Sequence, residues 1–362
     1  MKRFDTHIIL VSDQMTPNAI PIMDEAIRPQ KVILCVTDAM KKKAEFLIDF
    51  FKQKNIDNET FELGTAYDFA TLKDRFLDLA IALDHDHKNI ALNLTGGTKL
   101  ITIAALLSFE KDYACFYVIP EKTEICMINR QEPVYAIQEQ MKLEDFFAIH
   151  GYKVTKITRK KNVSSQSRDL FNELLNNYHS FKDAIGTLNF LAMKAGDNNS
   201  MMINNNIPEK AWGLLLCFQN HGAIKYYDDR KIEFKDKLGR QFCQGFWLED
   251  YTYLELAKVK EQLQDYACSI SIESPSGIRN ELDAAFLLNN RLHLIECKTA
   301  NLHNKADAIY KLDSIHSLPG VYTKPILLSY LPLDPFNKKR ADELNIKVLE
   351  GQELKNLAPR LL

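Results

Sequence analysis

The chain has 362 residues, enough for two or three domains, and its 46% hydrophobic and 26% charged residues are typical of a globular protein. The formal net charge of −2 excludes a protein that is basic over its whole surface, so any basic surface that binds nucleic acid must be local. The seven cysteines form no C-x-x-C pair, no stretch approaches the roughly 18 apolar residues of a membrane span, and the N-terminus lacks a signal-peptide cleavage site. We therefore expect a cytoplasmic protein without a membrane partner, whose cysteines are small core residues rather than a disulfide framework or a zinc site.

Up to about residue 150, short apolar runs alternate with helical stretches. The predicted strands are residues 7–12, 31–36, 59–63, 89–95, 113–119 and 124–129, the last two forming a hairpin. The predicted helices run from Pro17 to about Arg28 and over residues 39–54, 67–83 and 98–109. This alternation indicates an α/β fold with a mostly parallel sheet, so residues 1–150 are predicted to form a Rossmann-like domain.

Two polar segments follow the first and fourth of these strands, where an open α/β sheet binds its ligands. They contain Ser12, Asp13, Gln14, Thr95, Gly96, Gly97, Thr98 and Lys99. The glycines permit a close backbone approach, a threonine can cap the next helix, and the free N–H groups of that helix favour an anion. The segment is neither a G-x-G-x-x-G nor a G-x-x-x-x-G-K-[ST] loop, which disfavours NAD binding and ATP hydrolysis. The alternative is a capped turn without a ligand.

The pairing of V-S-D-Q with N-L-T-G-G-T-K resembles CARF domains, the CRISPR-associated Rossmann-fold sensors of type III CRISPR systems. The resemblance covers roughly residues 5–150. It implies a homodimer that binds a cyclic oligoadenylate, often cyclic tetra-adenylate, across its two-fold axis, with the eight residues of the two segments at the ligand. Asp13 is unusual beside phosphates: it is expected to meet an adenine amino group or a ribose hydroxyl, or only to cap a helix.

The middle of the chain, residues 151–236, reads as a helical segment with a winged-helix-like end. Two helices are predicted over 166–195 and a third over 208–222, followed by a hairpin around Asp228-Asp229. A spacer or dimerisation role and direct DNA contact are the alternatives for this segment. It begins with a basic run, Lys153, Lys156, Arg159, Lys160 and Lys161, which reads as a solvated linker or as a binding stripe.

The segment GIRNELDAAFLLNNRLHLIECKTA, residues 277–300, carries the chemistry. It predicts two strands joined by a turn at Asn289-Asn290. Period two places Glu296 and Lys298 on one face at the end of an apolar strand, and Asp283 can meet Glu296 across the hairpin. Burying such charges is costly unless they pair or hold a metal, and the alternative is a buried Glu–Lys pair without catalysis.

An aspartate followed by E-x-K across a turn resembles the PD-(D/E)xK nuclease superfamily, which implies an α/β restriction-endonuclease-like domain over residues 237–362. The resemblance implies that Asp283, Glu296 and the backbone carbonyl of Cys297 hold Mg²⁺ or Mn²⁺, and that Lys298 assists hydrolysis of a phosphodiester.

Further residues can support this site. Glu249, in a predicted helix over 245–259, matches the helix glutamate of that superfamily and is a candidate catalytic residue and metal ligand. Glu281 shares the face of Asp283. A helix over 305–315 places Tyr310 and Lys311 nearby, although a plain helical surface is the simpler interpretation.

Together the two resemblances imply a homodimeric nuclease that is activated by a cyclic oligoadenylate and cleaves DNA, RNA or both. An unregulated repair or restriction nuclease is one alternative. A nucleotide-sensing DNA-binding regulator with an inert nuclease fold is another, and slow degradation of the activator by the sensor domain stays open. His85-Asp86-His87 lacks a third metal ligand and offers no rival site.

Overall fold

The computed structural model describes residues 1–84, 89–203, 207–303, 306–316 and 323–362, arranged around three sheets. No helix in these ranges is both long and apolar enough to span a membrane. The predicted polar turn at His85–His87 lies outside the described residues, as does Lys305 at the start of the predicted helix over 305–315.

The N-terminal part is an α/β unit around a seven-stranded sheet. Its strands are Thr6–Leu10 (β1), Lys31–Thr37 (β2), Asp57–Gly64 (β3), Ile90–Asn93 (β4), Ala114–Ile119 (β5), Glu124–Met127 (β6) and Tyr135–Ala136 (β7). Its helices are Thr16–Met23 (α1), Lys41–Gln53 (α2), Phe69–Asp84 (α3), Lys99–Phe109 (α4) and Leu143–Ile149 (α5). The strand order is β3-β2-β1-β4-β5-β6-β7, with β1 to β5 parallel and β6 and β7 antiparallel. The winding direction therefore reverses between β1 and β4, which makes the ends of these two strands the switch point of the sheet.

The first helix is shorter than its sequence pattern predicts, because it ends at Met23 rather than near Arg28. Arg28 folds back and its guanidinium donates hydrogen bonds to the carbonyls of Ile22 and Met23, at 2.7 and 2.9 Å. These carbonyls belong to the last turn of the helix, where backbone acceptors otherwise have no partner. The arginine thus terminates the helix as a C-terminal cap.

The middle part combines helices with a small antiparallel sheet. It contains Lys153–Thr158 (β8), Ser165–Asn176 (α6), Tyr178–Lys194 (α7), Ser200–Met202 (β9), Glu209–Asn220 (α8), Ile224–Tyr227 (β10), Lys231–Phe234 (β11) and Lys237–Gln241 (α9). The sheet order is β10-β11-β9, and β10 and β11 form the predicted hairpin. Three helices followed by this hairpin give the winged-helix-like arrangement that the sequence indicates.

The first part of the basic run lies in a strand rather than in a solvated linker, and Arg159, Lys160 and Lys161 follow that strand. Lys153 and Lys156 lie in β8, which pairs antiparallel with a strand of the C-terminal sheet more than 100 residues away. Four of the six residues in KVTKIT are β-branched, which is compatible with a strand but does not by itself distinguish it from a linker. The domain boundaries predicted at 1–150, 151–236 and 237–362 stay predictions. Strand β8 lies in the predicted middle segment of the sequence but pairs with a strand of the C-terminal sheet.

The C-terminal part is built on a six-stranded mixed sheet. Its elements are Trp247–Lys258 (α10), Asp265–Glu273 (β12), Arg279–Leu288 (β13), Arg291–Lys298 (β14), Asp307–His316 (α11), Thr323–Ser329 (β15), Pro335–Glu343 (α12), Lys347–Glu350 (β16) and Ala358–Leu361 (α13). The order is β16-β15-β14-β13-β12-β8, with β14, β15 and β16 parallel and the others antiparallel. Asn289 and Asn290 both adopt positive φ, at 52° and 56°, as a two-residue turn between β13 and β14 requires.

The parts share apolar cores. One buried cluster runs from the N-terminal sheet through Phe146 and Phe147 of α5 to Leu292 and Leu294 of β14. A second joins the helices of the middle part to α10 and to the opposite face of the C-terminal sheet, including Ile295 of β14. The strand β14 is therefore covered on both faces, once from the N-terminal side and once from the middle part.

Candidate functional site

The two polar segments of the N-terminal part lie side by side at the switch point. Residues 12–14 follow β1 and residues 95–99 follow β4, and these strands are neighbours in the sheet. Ser12 donates a hydrogen bond from Oγ to the carbonyl of Gln14, at 3.3 Å. Asp13 forms an ion pair with Lys43 of α2. This pairing compensates the charge of the one carboxylate in the first segment.

A buried asparagine pair holds the two segments together. The side-chain amide of Asn18 donates to the carbonyl of Leu10, and that of Asn93 donates to the carbonyl of Pro17, both at 3.0 Å. Thr95 in turn donates to Asn93 Oδ1 at 2.6 Å and accepts from the N–H of Val118 at 2.8 Å. The hydroxyl of Thr95 thus shapes the loop from within. Asn18 was not predicted as a site residue, because it lies within α1 and its role depends on contacts with two strands.

The glycines are required by the backbone path. A Cβ on Gly96 would lie 1.9 Å from the carbonyl oxygen of Leu10, and Gly97 has φ of +79°. Thr98 caps α4, since its side chain accepts from the N–H of Ile101 at 3.3 Å. Lys99, the first residue of α4, is exposed. The N-terminus of α4 therefore opens beside the switch point, with a positive side chain at its rim.

The acidic residues of the C-terminal motif meet across β13 and β14. Ala284 pairs with Ile295 in the ladder, which brings Asp283 next to Glu296 as the spacing predicts. Asp283 Oδ2 accepts a hydrogen bond from the N–H of Cys297 at 2.7 Å. The Cys297 thiol is buried on the opposite face, 3.4 Å from the hydroxyl of Thr252.

Two lysines hold the carboxylate of Glu296, whose side chain is only 2% exposed. Lys298 Nζ lies 2.6 Å from one oxygen and Lys311 Nζ lies 2.6 Å from the other. Burial alone would lower the pKa of Lys298, but the charge and hydrogen bond of Glu296 outweigh burial and raise it. Lys298 therefore stays protonated beside Glu296. The interpretation of Lys311 as a plain surface residue was wrong.

Glu249 and Asp283 form the second half of the acidic group. Burial, and then the charge of Asp283, raises the pKa of Glu249 to about 7. Burial, and then the charge of Glu296, raises the pKa of Asp283 to about 6, although the Cys297 N–H opposes this. Buried carboxylates that raise the pKa values of their neighbours are typical of a site that binds a cation. Hard oxygen donors suit Mg²⁺ or Mn²⁺, so the residues present fit such an ion.

A cavity of about 790 Å³ opens beside these carboxylates, between the middle part and the C-terminal sheet. Its lining from the C-terminal part includes Glu249, Asp250, Glu281 and Asp283. From the middle part and β8 it takes Lys156, Lys161, Ser164, Gln166, Ser167 and Lys235. Lys161 forms an ion pair with Asp250. The middle part is thus a wall of the candidate site, a role beyond the predicted alternatives of a spacer or dimerisation role and direct DNA contact.

Comparisons with known proteins agree with this layout. The family model for the Card1 CARF domain matches residues 6–146, and the model for the Card1-like endonuclease domain matches residues 236–362. A search of curated proteins gives no match. These two matches leave the middle part between them.

Solved structures resemble the whole chain. Protein VC1899 from Vibrio cholerae is 22% identical with a TM-score of 0.85, over 98% of this chain and 96% of that one. Can2 from Sulfobacillus thermosulfidooxidans, in complex with cyclic tetra-adenylate, is 25% identical with a TM-score of 0.80, over 99% and 96%. A type III CRISPR defence DNA nuclease activated by cyclic oligoadenylate has a TM-score of 0.56 at 15% identity, over 97% and 49%. The three parts of this chain therefore occur in this order in other proteins.

Proposed function

The chain belongs to the CARF-domain effector nucleases, and from this premise we propose that it is a metal-dependent endonuclease of type III CRISPR antiviral defence, activated by cyclic tetra-adenylate. We further propose that it acts in the cytoplasm on DNA, RNA or both. The observation that carries the proposal is the group of Glu249, Asp283, Glu296 and Lys298, in which Glu249 and Asp283 line the open cavity and Glu296 is buried behind them against Lys298.

The proposed catalytic residues are Asp283, Glu296, Lys298 and Glu249. Asp283, Glu249, Glu296 and the carbonyl of Cys297 would hold Mg²⁺ or Mn²⁺, which when bound polarises the phosphate and lowers the pKa of a water molecule. Lys298 stays protonated beside Glu296, so its ammonium can stabilise negative charge that develops on the phosphate. Glu296 would become a metal ligand only if one of the two lysines moved away from its carboxylate. Lys311 is the one that sits on a separate helix.

For the sensor we propose that cyclic tetra-adenylate binds at the switch point, against Ser12, Asp13, Gln14, Thr95, Gly96, Gly97, Thr98 and Lys99. The N-terminus of α4 offers backbone N–H groups and Lys99 offers a charge, which suits a ring of phosphates. Thr95 and Gly96 act through the shape of the loop, because the hydroxyl of Thr95 is engaged with Asn93 and Val118.

We propose that two copies of the chain form the ligand site. Helices α3 and α4 expose Leu77, Ile81, Leu100, Ile103 and Leu107, at three- and four-residue spacings and with 36 to 56% of each side chain exposed. An apolar stripe of this kind on a helix is typical of an interface. Three residues of the stripe lie on α4, the helix that begins at the ligand segment. A second copy docked on the stripe would therefore bring two such segments together. That position matches a ligand with its own two-fold symmetry.

A chain of contacts connects the sensor loop to the catalytic hairpin. Thr95 accepts from the N–H of Val118 in β5, and the next turn presents the carbonyl of Pro120 to the side chain of Asn290, at 2.8 Å. Asn290 is buried in the turn that starts β14, the strand of Glu296. A shift from about 1% to 99% active needs roughly 5.5 kcal/mol of differential ligand affinity. We propose that this path passes part of that energy to the hairpin.

The test is a cleavage assay with purified protein on DNA and RNA, in single and double strands, with Mg²⁺ or Mn²⁺ and with or without cyclic tetra-adenylate. We expect cleavage that requires both the metal and the ligand, and none from Asp283→Asn. Full activity without the ligand would support an unregulated nuclease. Ligand binding without cleavage of any substrate would support a regulator with an inert nuclease fold. Loss of the intact ligand in Asp283→Asn would point to degradation by the sensor.

A further inference from the structure

A cluster of three different metal-binding side chains lies in the middle part, apart from the catalytic carboxylates. Glu173 is on α6, Cys217 is on α8, and His221 follows α8 as its C-cap. One donor atom from each lies within 4.8 Å of the other two. His221 Nε2 lies 2.9 Å from Glu173 Oε2. Among the described residues, no other group of three or more His, Cys, Asp or Glu side chains has its donor atoms within 4.8 Å of one another.

The sequence supports the geometry of this cluster. Cys217 and His221 are four residues apart, a spacing that places two side chains on the same face of a helix. The third donor, Glu173, comes from the neighbouring helix α6. The side chains of Glu173 and His221 are 38% and 15% exposed, whereas Cys217 is 2% exposed. The cluster is therefore buried at the sulfur and open to water at the carboxylate.

The arrangement does not match a nucleophilic triad. In such a triad the thiol meets one ring nitrogen of the histidine, and the carboxylate meets the other. Here the donor oxygen of Glu173 lies within 4.8 Å of the Cys217 sulfur as well as of a ring nitrogen of His221, whereas in a triad the ring would separate the thiol from the carboxylate. Burial, and then the charge of Glu173, raises the pKa of the Cys217 thiol. A neutral thiol at this position is a poor nucleophile.

The geometry points to a zinc-binding site formed by Glu173, Cys217 and His221, with water as the fourth ligand. Sulfur, imidazole nitrogen and carboxylate oxygen together suit Zn²⁺, whose bonds of about 2.0–2.3 Å place its ligand atoms about 3.3–3.8 Å apart. On binding, the thiol loses its proton to solvent, and the thiolate and the carboxylate then balance the charge of the ion. The buried site would carry no net charge, which avoids the cost of an isolated buried ion.

The site has a structural consequence. Zinc would tie α6 to α8 at the point where His221 lines the 790 Å³ cavity, and Gln166 and Ser167 of α6 line the same cavity. The metal would thus fix a wall of the catalytic cavity without taking part in the chemistry. This assigns a role to Cys217 that the sequence spacing of the cysteines did not suggest.

The experiment uses the full-length chain after dialysis against a chelator, titrated with Co²⁺ and, separately, with Zn²⁺. We expect a thiolate-to-cobalt charge-transfer band in wild type, one equivalent of bound zinc, and a higher Tm with zinc than without it. Cys217→Ser should abolish the band, and His221→Ala should weaken zinc binding by at least about tenfold. Cys243→Ser, at another buried cysteine of the same core, should keep the band. Asp283→Asn should also keep it, because the catalytic carboxylates are a separate site.

A folded wild-type protein without the cobalt band overturns the site, whether or not the variants fold. A band that persists in Cys217→Ser, or is lost only in Asp283→Asn, also overturns it. The cobalt band is measured independently of cleavage. A protein without nuclease activity on any substrate would therefore contradict the proposed function but not the zinc site.

Discussion

Replacing Asp283 by asparagine should abolish cleavage and at the same time stabilise the metal-free protein at neutral pH. The carboxylate is buried next to Glu296 and Glu249, and its pKa is raised from 3.8 to about 6, first by burial and then by the charge of Glu296. At about 1.4 kcal/mol per pKa unit, this rise corresponds to about 3 kcal/mol that the ionised form costs the folded state. Asparagine keeps an oxygen that can accept the hydrogen bond from Cys297 but carries no charge.

The sign of the pH dependence follows from linkage. Between about pH 4 and pH 6 the folded wild type binds a proton that the unfolded chain releases, so its free energy of unfolding falls as the pH rises through this window. Asp283→Asn lacks this proton. The variant should therefore match wild type near pH 4 and exceed it above pH 6. At about 2–4 °C per kcal/mol, the expected gain in Tm is several degrees.

The assay is thermal unfolding of both proteins in chelator, at about pH 4.5 and about pH 8, with cleavage measured in parallel. Glu281→Gln is the matched control, because Glu281 is an exposed carboxylate on the same strand. It should change Tm little at either pH. A lower Tm for Asp283→Asn at the higher pH, or an equal gain at both values, would refute the electrostatic account of this site.

Three further predictions test the rest of the proposal. Lys298→Ala should lower kcat by about 10²-fold or more and leave ligand binding intact, since it removes a cation that stabilises charge in the transition state. Ile103→Glu should give a monomer in analytical ultracentrifugation and weaken binding of cyclic tetra-adenylate, because it puts a charge into the exposed apolar stripe. Asn290→Gly should keep ligand affinity but reduce ligand stimulation of cleavage by about tenfold, since it deletes the side-chain bond to Pro120.

Two of these variants, Asn290→Gly and Ile103→Glu, have a matched control within the chain. Asn289→Gly changes the exposed neighbour of Asn290 in the same turn, where φ is also positive, so it should leave stimulation unchanged. An equal effect of both changes would mean that the turn, not the contact with the sensor, matters. Leu238→Glu alters a residue that is 74% exposed far along the chain, and should leave the dimer intact. Unaltered cleavage by Lys298→Ala would remove the lysine from the chemistry.

Much of the fold could be predicted because local patterns specify it. The alternation of strands and helices predicts the parallel sheet, and the paired segments after β1 and β4 lie at its switch point. The two asparagines at 289 and 290 predict the turn, and period two predicts that Glu296 and Lys298 share a face. Each of these inferences depends on residues within one hairpin or one strand–helix unit.

The features that were missed depend on contacts between distant segments. Strand β8 became recognisable only through its pairing with β12, since one lysine-rich strand resembles a linker. Lys311 reaches Glu296 because α11 packs beside β14, and nothing in a helix pattern says which surface residue faces a carboxylate. Asn18 likewise gains its role from Leu10 and Asn93, on two different strands. Tertiary packing, not local propensity, decides such positions.

The shared cores restrict how a ligand can activate the nuclease. Separating the N-terminal part from the C-terminal sheet would expose Phe146, Phe147 and Leu294, and would break the ion pair between Glu144 and Arg159, which directly follows β8 of that sheet. Exposing a buried aromatic or aliphatic side chain costs about 1.5–3 kcal/mol, so exposing these three would cost about 4.5–9 kcal/mol, comparable with or larger than the roughly 5.5 kcal/mol that a full switch requires.

Activation must therefore leave the sensor and the catalytic hairpin packed together. A closely packed core has low compressibility, so a small displacement at one end moves the whole core as a rigid body. Such rigid bodies rotate about interfaces that are less tightly packed. The softer interface here is the exposed stripe of Leu77, Ile81, Ile103 and Leu107, which a second copy would cover. In the proposed dimer, a ligand at the N-terminus of α4 would act on that interface directly. It would reorient one complete protomer against the other, with each hairpin carried along by its contact through Asn290.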